Sequence, residues 1–293
     1  MRVSASVQQA LAAGQPVVAL ESTVISHGLP RPTNLALALE LEDLIRAQGA
    51  TPATVGIIHG EPVVGLGTDE ITLLANATEV EKVSLWNLAA TVIQGRHGAT
   101  TVSATAFLAS RAGIEVFATG GIGGVHRGEV HDVSADLYAL ERYPVLVVAS
   151  GAKSILDLEA TVETLETLGV PVVGYRTGTL PGFYLRDTGI AISARVESPQ
   201  EAAQLWKTQR SLGLGGMILA NPIPQAAALE RQAVERWLKQ ALADAQRSHT
   251  SGKALTPFLL DRLRSLSHNR TLEANLALLR DNAVLAAQVA AGG

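Results

Sequence analysis

Short apolar runs, each closed by a polar loop rich in glycine, alternate along this chain with segments of helical spacing. Residues 16–20, "PVVAL", read as a buried strand. Residues 34–48 place Leu37, Leu41, Leu44 and Ile45 on one helical face, with Gly49 as the stop. "ATVGIIHGEPVVGLG" (53–67) reads as two short strands around Gly60-Glu61-Pro62. "TDEITLLANA" reads as a helix whose acidic first turn suits the helix dipole. The middle repeats one theme. "GATTVSATAFLASRAG" is a helix ending at Gly113, followed by the strand "IEVFATGG". "SILDLEATVETLETLG" is a helix ending at Gly169, followed by the strand "VPVVGY". Such βαβ units predict an α/β fold with a largely parallel sheet, whose polar loops gather along one edge. Toward the C-terminus, "PQAAALERQAVERWLKQALADAQ" and "LEANLALLRDNAVLAAQVAA" read as helices, and "SGKALTPFLLDRL" reads as interrupted at Pro257. No low-complexity linker divides residues 1–293, so a single α/β domain is expected.

Composition narrows the function classes. The 293 residues are 47% hydrophobic and only 4% aromatic, so the core is aliphatic. A net charge of −4 gives no footprint for a nucleic-acid groove. The absence of cysteine removes disulfides, thiolate metal sites and thiol nucleophiles together. The N-terminus "MRVSASVQQALAAG" is a poor signal peptide, and no stretch approaches the ~18 apolar residues of a membrane span. These features lead us to expect a cytoplasmic protein with no membrane partner.

Polar residues at strand ends carry the candidate chemistry. Lys153 follows the apolar run 145–148 in "PVLVVASGAKSILDL". Ala152 separates it from Gly151, and a phosphate-binding P-loop spacing is not met. Two readings stand: an amine whose desolvation favours the neutral nucleophile, or a snorkelling lysine on the first turn of a helix. Glu21 ends the apolar strand in "VVALESTVISHGLP". It is either a desolvated general acid or a carboxylate binding the amides of the loop 22–33. In "FATGGIGGVHRGEVHDVSADL" (117–137), glycines open the backbone for anion binding but miss the dinucleotide fingerprint. His126, Arg127, His131, Asp132, Ser134 and Asp136 follow, a mix that can hold a hard cation beside a phosphate. The same segment also reads as a helix start, with Ser134 as cap and Asp136 on the dipole. Lys82 can meet a phosphate as a point charge or lie solvated. Asn221 and Asn282 are amides in apolar settings, which need partners.

Together these segments resemble one family, the pseudouridine-5′-phosphate glycosidases, also named indigoidine synthase A-like proteins. The resemblance covers nearly the whole chain through "VALESTVISHGLPRP", "GATTVSAT", "VFATGGIGGVHRG", "DVSADL", "GAKSILDL", "ANPIP", "GK" before "TPFLL", and "DNAVLA", in family order. It implies an α/β/α three-layer sandwich and the reversible conversion of pseudouridine 5′-phosphate and water to uracil and ribose 5-phosphate. It makes Lys153 the nucleophile on C1′ and Glu21 the proton donor. It makes Asp132 the ligand of a divalent metal, manganese (Mn2+). Lys82, Thr101, Val102, Ser134, Ala135 and Asp136 match substrate-binding positions, and Thr119, His126 and Asn282 look like further pocket residues. A homotrimer is implied, acting on a small-molecule sugar phosphate. A lysine suits this reaction because the leaving atom is carbon: an imine supplies the electron sink that paired carboxylates supply to ordinary glycosidases.

The chain departs from the family after "KVS", where Leu85, Trp86 and Asn87 replace the usual Arg-Arg-Asp. Where those arginines shape the phosphate pocket or a subunit contact, affinity or assembly is expected to differ in this chain. Two rivals remain. An imine-forming sugar-phosphate aldolase would use the same lysine, and a non-catalytic sugar-phosphate sensor would need no amine nucleophile.

Overall fold

The computed structural model describes residues 1–127, 132–250 and 254–292. Seven parallel strands form its centre, in the spatial order Thr51–Ile58, Val17–Leu20, Val116–Ala118, Leu146–Ala149, Met217–Ala220, Val172–Tyr175 and Ala194–Val196. The strands Val17–Leu20, Leu146–Ala149 and Met217–Ala220 are buried at every position. This is why they read as continuous apolar runs rather than alternating ones. Thr51–Ile58 also pairs antiparallel with Glu61–Val64 and Gly98–Thr100, which extend the sheet at that flank.

Helices cover both faces, and the α/β expectation holds. The last helix, Arg270–Ala291, packs on the strands Val17–Leu20, Val116–Ala118 and Leu146–Ala149, beside the helices Thr33–Ala47 and Pro199–Ser211. The helices Val102–Ala112 and Ala135–Arg142 pack on each other, the first of them also on the Val17–Leu20 and Thr51–Ile58 strands. Among the described residues no helix is long and apolar enough to cross a membrane.

Three boundaries differ from the sequence reading. The segment read as helix from Gly98 opens as the strand Gly98–Thr100, and its helix starts only at Val102. A Cβ on Gly98 would lie 2.6 Å from Val83 Cγ2, so this glycine permits strand pairing rather than helix. The helix after Lys153 starts at Leu158, capped by Asp157, whose carboxylate accepts from Ala160 N–H at 3.0 Å. Before it, Leu156–Asp157 pairs antiparallel with Val125–His126, so Lys153 lies on a loop and not in a helical first turn. Pro257 interrupts nothing. It sits in the first turn of the helix Leu255–Leu266, where its missing N–H has no intrahelical partner to lose.

Candidate active site

The strands Val17–Leu20, Val116–Ala118 and Leu146–Ala149 end side by side, and the residues after them open a cavity of about 400 Å³. Of the residues that the family resemblance assigns to the site, all but Asn282 line it: Glu21, Lys82, Thr101, Val102, Thr119, His126, Asp132, Ser134, Ala135, Asp136 and Lys153; Arg127 does not. His131, and the Gly252-Lys253 pair, lie outside the described residues.

Glu21 follows the Val17–Leu20 strand and is only 9% exposed. The Thr119 hydroxyl donates to its Oε1. Burial raises the carboxyl above its ordinary pKa. The Lys153 charge and the Thr119 hydrogen bond pull it partly back, and Asp136 adds to the rise. The net direction is toward the protonated form, relative to an exposed carboxyl.

Lys153 is half-buried on a loop stitched to the glycine segment: its N–H donates to Ile122 O at 3.1 Å, and Ile122 N–H donates to Gly151 O at 3.1 Å. Gly151 has φ +76°, and a Cβ there would lie 2.0 Å from Pro181 O, so only glycine allows this turn ahead of the lysine. Lys82, on the strand Glu81–Val83, is lowered from its ordinary pKa first by burial and then by the Lys153 charge, against Asp136 and Glu21. Two amines and two carboxylates thus act on one another across the cavity.

Asp136 does more than favour a helix dipole. Its Oδ1 accepts from Ser103 N–H at 2.9 Å and its Oδ2 from Gly123 N–H at 2.8 Å. It ties the start of the helix Val102–Ala112 to the glycine segment. The amide of Gly123 therefore serves the protein's own carboxylate rather than an external anion. Ser134 caps the helix Ala135–Arg142, its hydroxyl accepting from Asp136 N–H at 3.2 Å. Thr101 begins the helix Val102–Ala112 with no side-chain cap, and the N-termini of both helices open on the cavity. Such termini attract anions.

His126 and Asp132 stand together, Nδ1 4.0 Å from Oδ2, and His126 N–H donates to Asp132 O at 2.9 Å. Among the described residues there is no group of three or more metal-ligating side chains. What Asp132 offers a hard cation at the cavity is one carboxylate, beside His126. Asp136 is committed to its two amides.

Asn282 corrects the sequence reading. It is fully buried and does not line the cavity. Its Nδ2 donates to Thr119 O at 2.8 Å and to Ser150 Oγ at 3.2 Å, and its Oδ1 accepts from Asn221 Nδ2 at 3.0 Å. Asn221 also donates to Asp281 Oδ2 at 2.7 Å. The partners these amides needed are protein groups, not a ligand.

Sequence reasoning missed Asn275 and Phe183, which line the cavity from the last helix and from the loop after Val172–Tyr175. Asn275 was legible as a polar residue on the apolar face of "LEANLALL", but Phe183 left no local signal. His27 also lines the cavity, from a single π-helical turn, Val24–Gly28. Such turns concentrate at functional sites. Asn87 fixes the turn after Lys82, accepting from Ser84 N–H at 2.8 Å and donating to Lys82 O at 3.1 Å, and Trp86 stands 77% exposed at the cavity mouth.

Residues 6–292 match the family described as indigoidine synthase A like protein. A pseudouridine-5′-phosphate glycosidase of Thermus thermophilus is 54% identical, over 94% of this chain and 97% of its own. One of Symbiobacterium thermophilum is 49% identical, over 97% of this chain and 94% of its own. Among solved structures, the prealnumycin C-glycosynthase AlnA in complex with ribulose 5-phosphate superposes with a TM-score of 0.91 at 37% identity, covering 99% of this chain and 95% of that one. An indigoidine synthase A-like protein of Thermotoga maritima superposes with a TM-score of 0.89 at 39% identity, covering 95% of this chain and 93% of that one.

Proposed function

The chain belongs to the indigoidine synthase A-like family, and from that premise we propose that it is a pseudouridine-5′-phosphate glycosidase. The enzyme interconverts pseudouridine 5′-phosphate and water with uracil and ribose 5-phosphate. The supporting observation is the convergence of Glu21 and Lys153 on one cavity that two helix N-termini also face.

The phosphate sits at the N-termini of the helices Val102–Ala112 and Ala135–Arg142, with Lys82 as a point charge. Lys153 Nζ bonds C1′ as the ring oxygen leaves that carbon and takes up a proton. The nitrogen, having lost a proton, donates its lone pair to form the C=N bond. The C1′–C5 bond breaks toward the base, and the Glu21 proton arrives on C5. Water then adds to the imine and returns the free lysine with ribose 5-phosphate. By microscopic reversibility the same groups form the C–C bond from uracil and the sugar phosphate. Asp132 is our assignment for the ligand of a divalent cation, manganese, which when bound offsets the phosphate charge. The reading extends to a homotrimer in the cytoplasm, checked by light scattering and by cell fractionation.

The test is an assay of the purified protein with pseudouridine 5′-phosphate and Mn2+, following uracil release by absorbance, repeated with Lys153→Ala. We expect turnover in the wild type and its near-complete loss in a folded variant. Cleavage of a sugar phosphate without uracil release would favour an aldolase, and wild-type turnover in the variant would overturn the mechanism.

A further inference from the structure

Asn282 lies on the last helix, outside the cavity, yet it is the most heavily bonded amide near it. Its Nδ2 donates to the carbonyl of Thr119, the residue whose hydroxyl donates to Glu21. Thr119 is held from two further directions. Its N–H donates to Val148 O at 3.0 Å, and the next carbonyl, Gly120 O, accepts from Ser150 N–H at 2.9 Å. Threonine is branched at Cβ and restricted at χ1, so holding its backbone narrows the positions its hydroxyl can take.

A carboxylic acid has two unlike oxygens. The carbonyl oxygen is the better acceptor, so a hydroxyl donating to Oε1 leaves the acid proton on Oε2. Without that donor the proton is free to sit on either oxygen, and in one arrangement it faces the protein rather than the sugar. We propose that Asn282 is a positioning residue for the reaction: through the backbone of Thr119 it holds the Thr119 hydroxyl on Glu21 Oε1, and so places the transferable proton on Oε2. The chain of contacts is Asp281–Asn221–Asn282–Thr119–Glu21, and it joins the last helix to the acid across three strand ends. This rests on the proton-donor assignment of Glu21 made above.

The groups that bear on Glu21 besides Thr119 are Lys153, Lys82 and Asp136. None of them changes in the variants below. The Thr119 hydrogen bond favours the ionised carboxyl, so removing it raises the Glu21 pKa further.

The experiment measures kcat, KM and the pH profile of uracil release for Thr119→Val, Thr119→Ser and Asn282→Ala. Thr119→Val should lose roughly tenfold to a hundredfold in kcat, the scale of a misplaced general acid, with KM within about twofold. Its alkaline limb should move to higher pH, and Thr119→Ser should restore most of the rate. Asn282→Ala should reproduce the loss in kcat at unchanged KM. Combined with Thr119→Val it should add little, because the two act through one link. If Asn282→Ala does not fold, Asn282→Leu, which removes the donor to Thr119 O while filling much the same space, takes its place. An unmoved alkaline limb in Thr119→Val would overturn the proposal, as would a rise in KM with kcat intact, or fully additive losses. An inactive wild type would instead sink the glycosidase reading itself.

Discussion

Glu21 and Lys153 share a cavity, and the environment of Glu21 is the more constrained of the two. A carboxyl this buried resists ionisation, so folding binds its proton more tightly than the unfolded chain does. The stability this contributes is complete below the unfolded carboxyl pKa and is lost as pH rises through the higher folded value. Glu21→Gln removes the titration while keeping the shape and an oxygen for Thr119. Its melting temperature relative to the wild type should therefore rise as pH climbs past the unfolded carboxyl pKa and level off above the higher folded value. A difference that stays flat across the range would contradict the buried-acid assignment. Uracil release by this variant should fall roughly a hundredfold or more, since the proton donor is gone.

At the scale of elements, Asp136 is where two helices and a glycine segment meet. It accepts from the amides of Ser103 and Gly123, both close to the cavity. Asp136→Ala leaves two donors without partners, which costs about 1–3 kcal/mol for each one kept from water. The variant should unfold at lower urea concentration and show a raised KM for ribose 5-phosphate in synthesis, because both helix N-termini lose their alignment. A KM at the wild-type value would detach Asp136 from phosphate binding. The glycines around it were legible as backbone freedom, but their use was not. A Cβ on Gly123 would lie 2.4 Å from Ser134 Oγ, a constraint that exists only once the chain has folded. The role of Asp136 as a tie was hidden for the same reason, since its partners lie 33 and 13 residues away.

Over the whole molecule, the last helix is both roof and anchor. Leu278 is fully buried against the strand ends, whereas Arg280 pairs with Glu40 at 2.8 Å between side chains that are each 42% exposed. Leu278→Ala should cost about 2–5 kcal/mol by leaving a cavity in the core. Arg280→Ala should cost less than about 1 kcal/mol, because water and salt screen an exposed pair. Urea denaturation of the two variants checks this ordering, and a larger loss from Arg280→Ala would reverse it. Much of this architecture could be read from the chain. The runs 16–20 and 145–148 announced central parallel strands, and Glu21 and Lys153 stood out because each follows such a run. Asn282 was singled out for the right reason, an amide in an apolar helix. Its direction was not legible, because helical spacing does not say whether a buried amide faces a ligand or three neighbouring strand ends.

Everything in the proposed chemistry passes through one bond, between the Lys153 amine and C1′ of the sugar. Incubating the protein with ribose 5-phosphate and borohydride, then mapping the modified peptide by mass, tests it most directly. One reduced pentose-phosphate adduct is expected, on Lys153, and absent from Lys153→Ala. An adduct confined to Lys82 or another lysine, or none while uracil is still released, would contradict it.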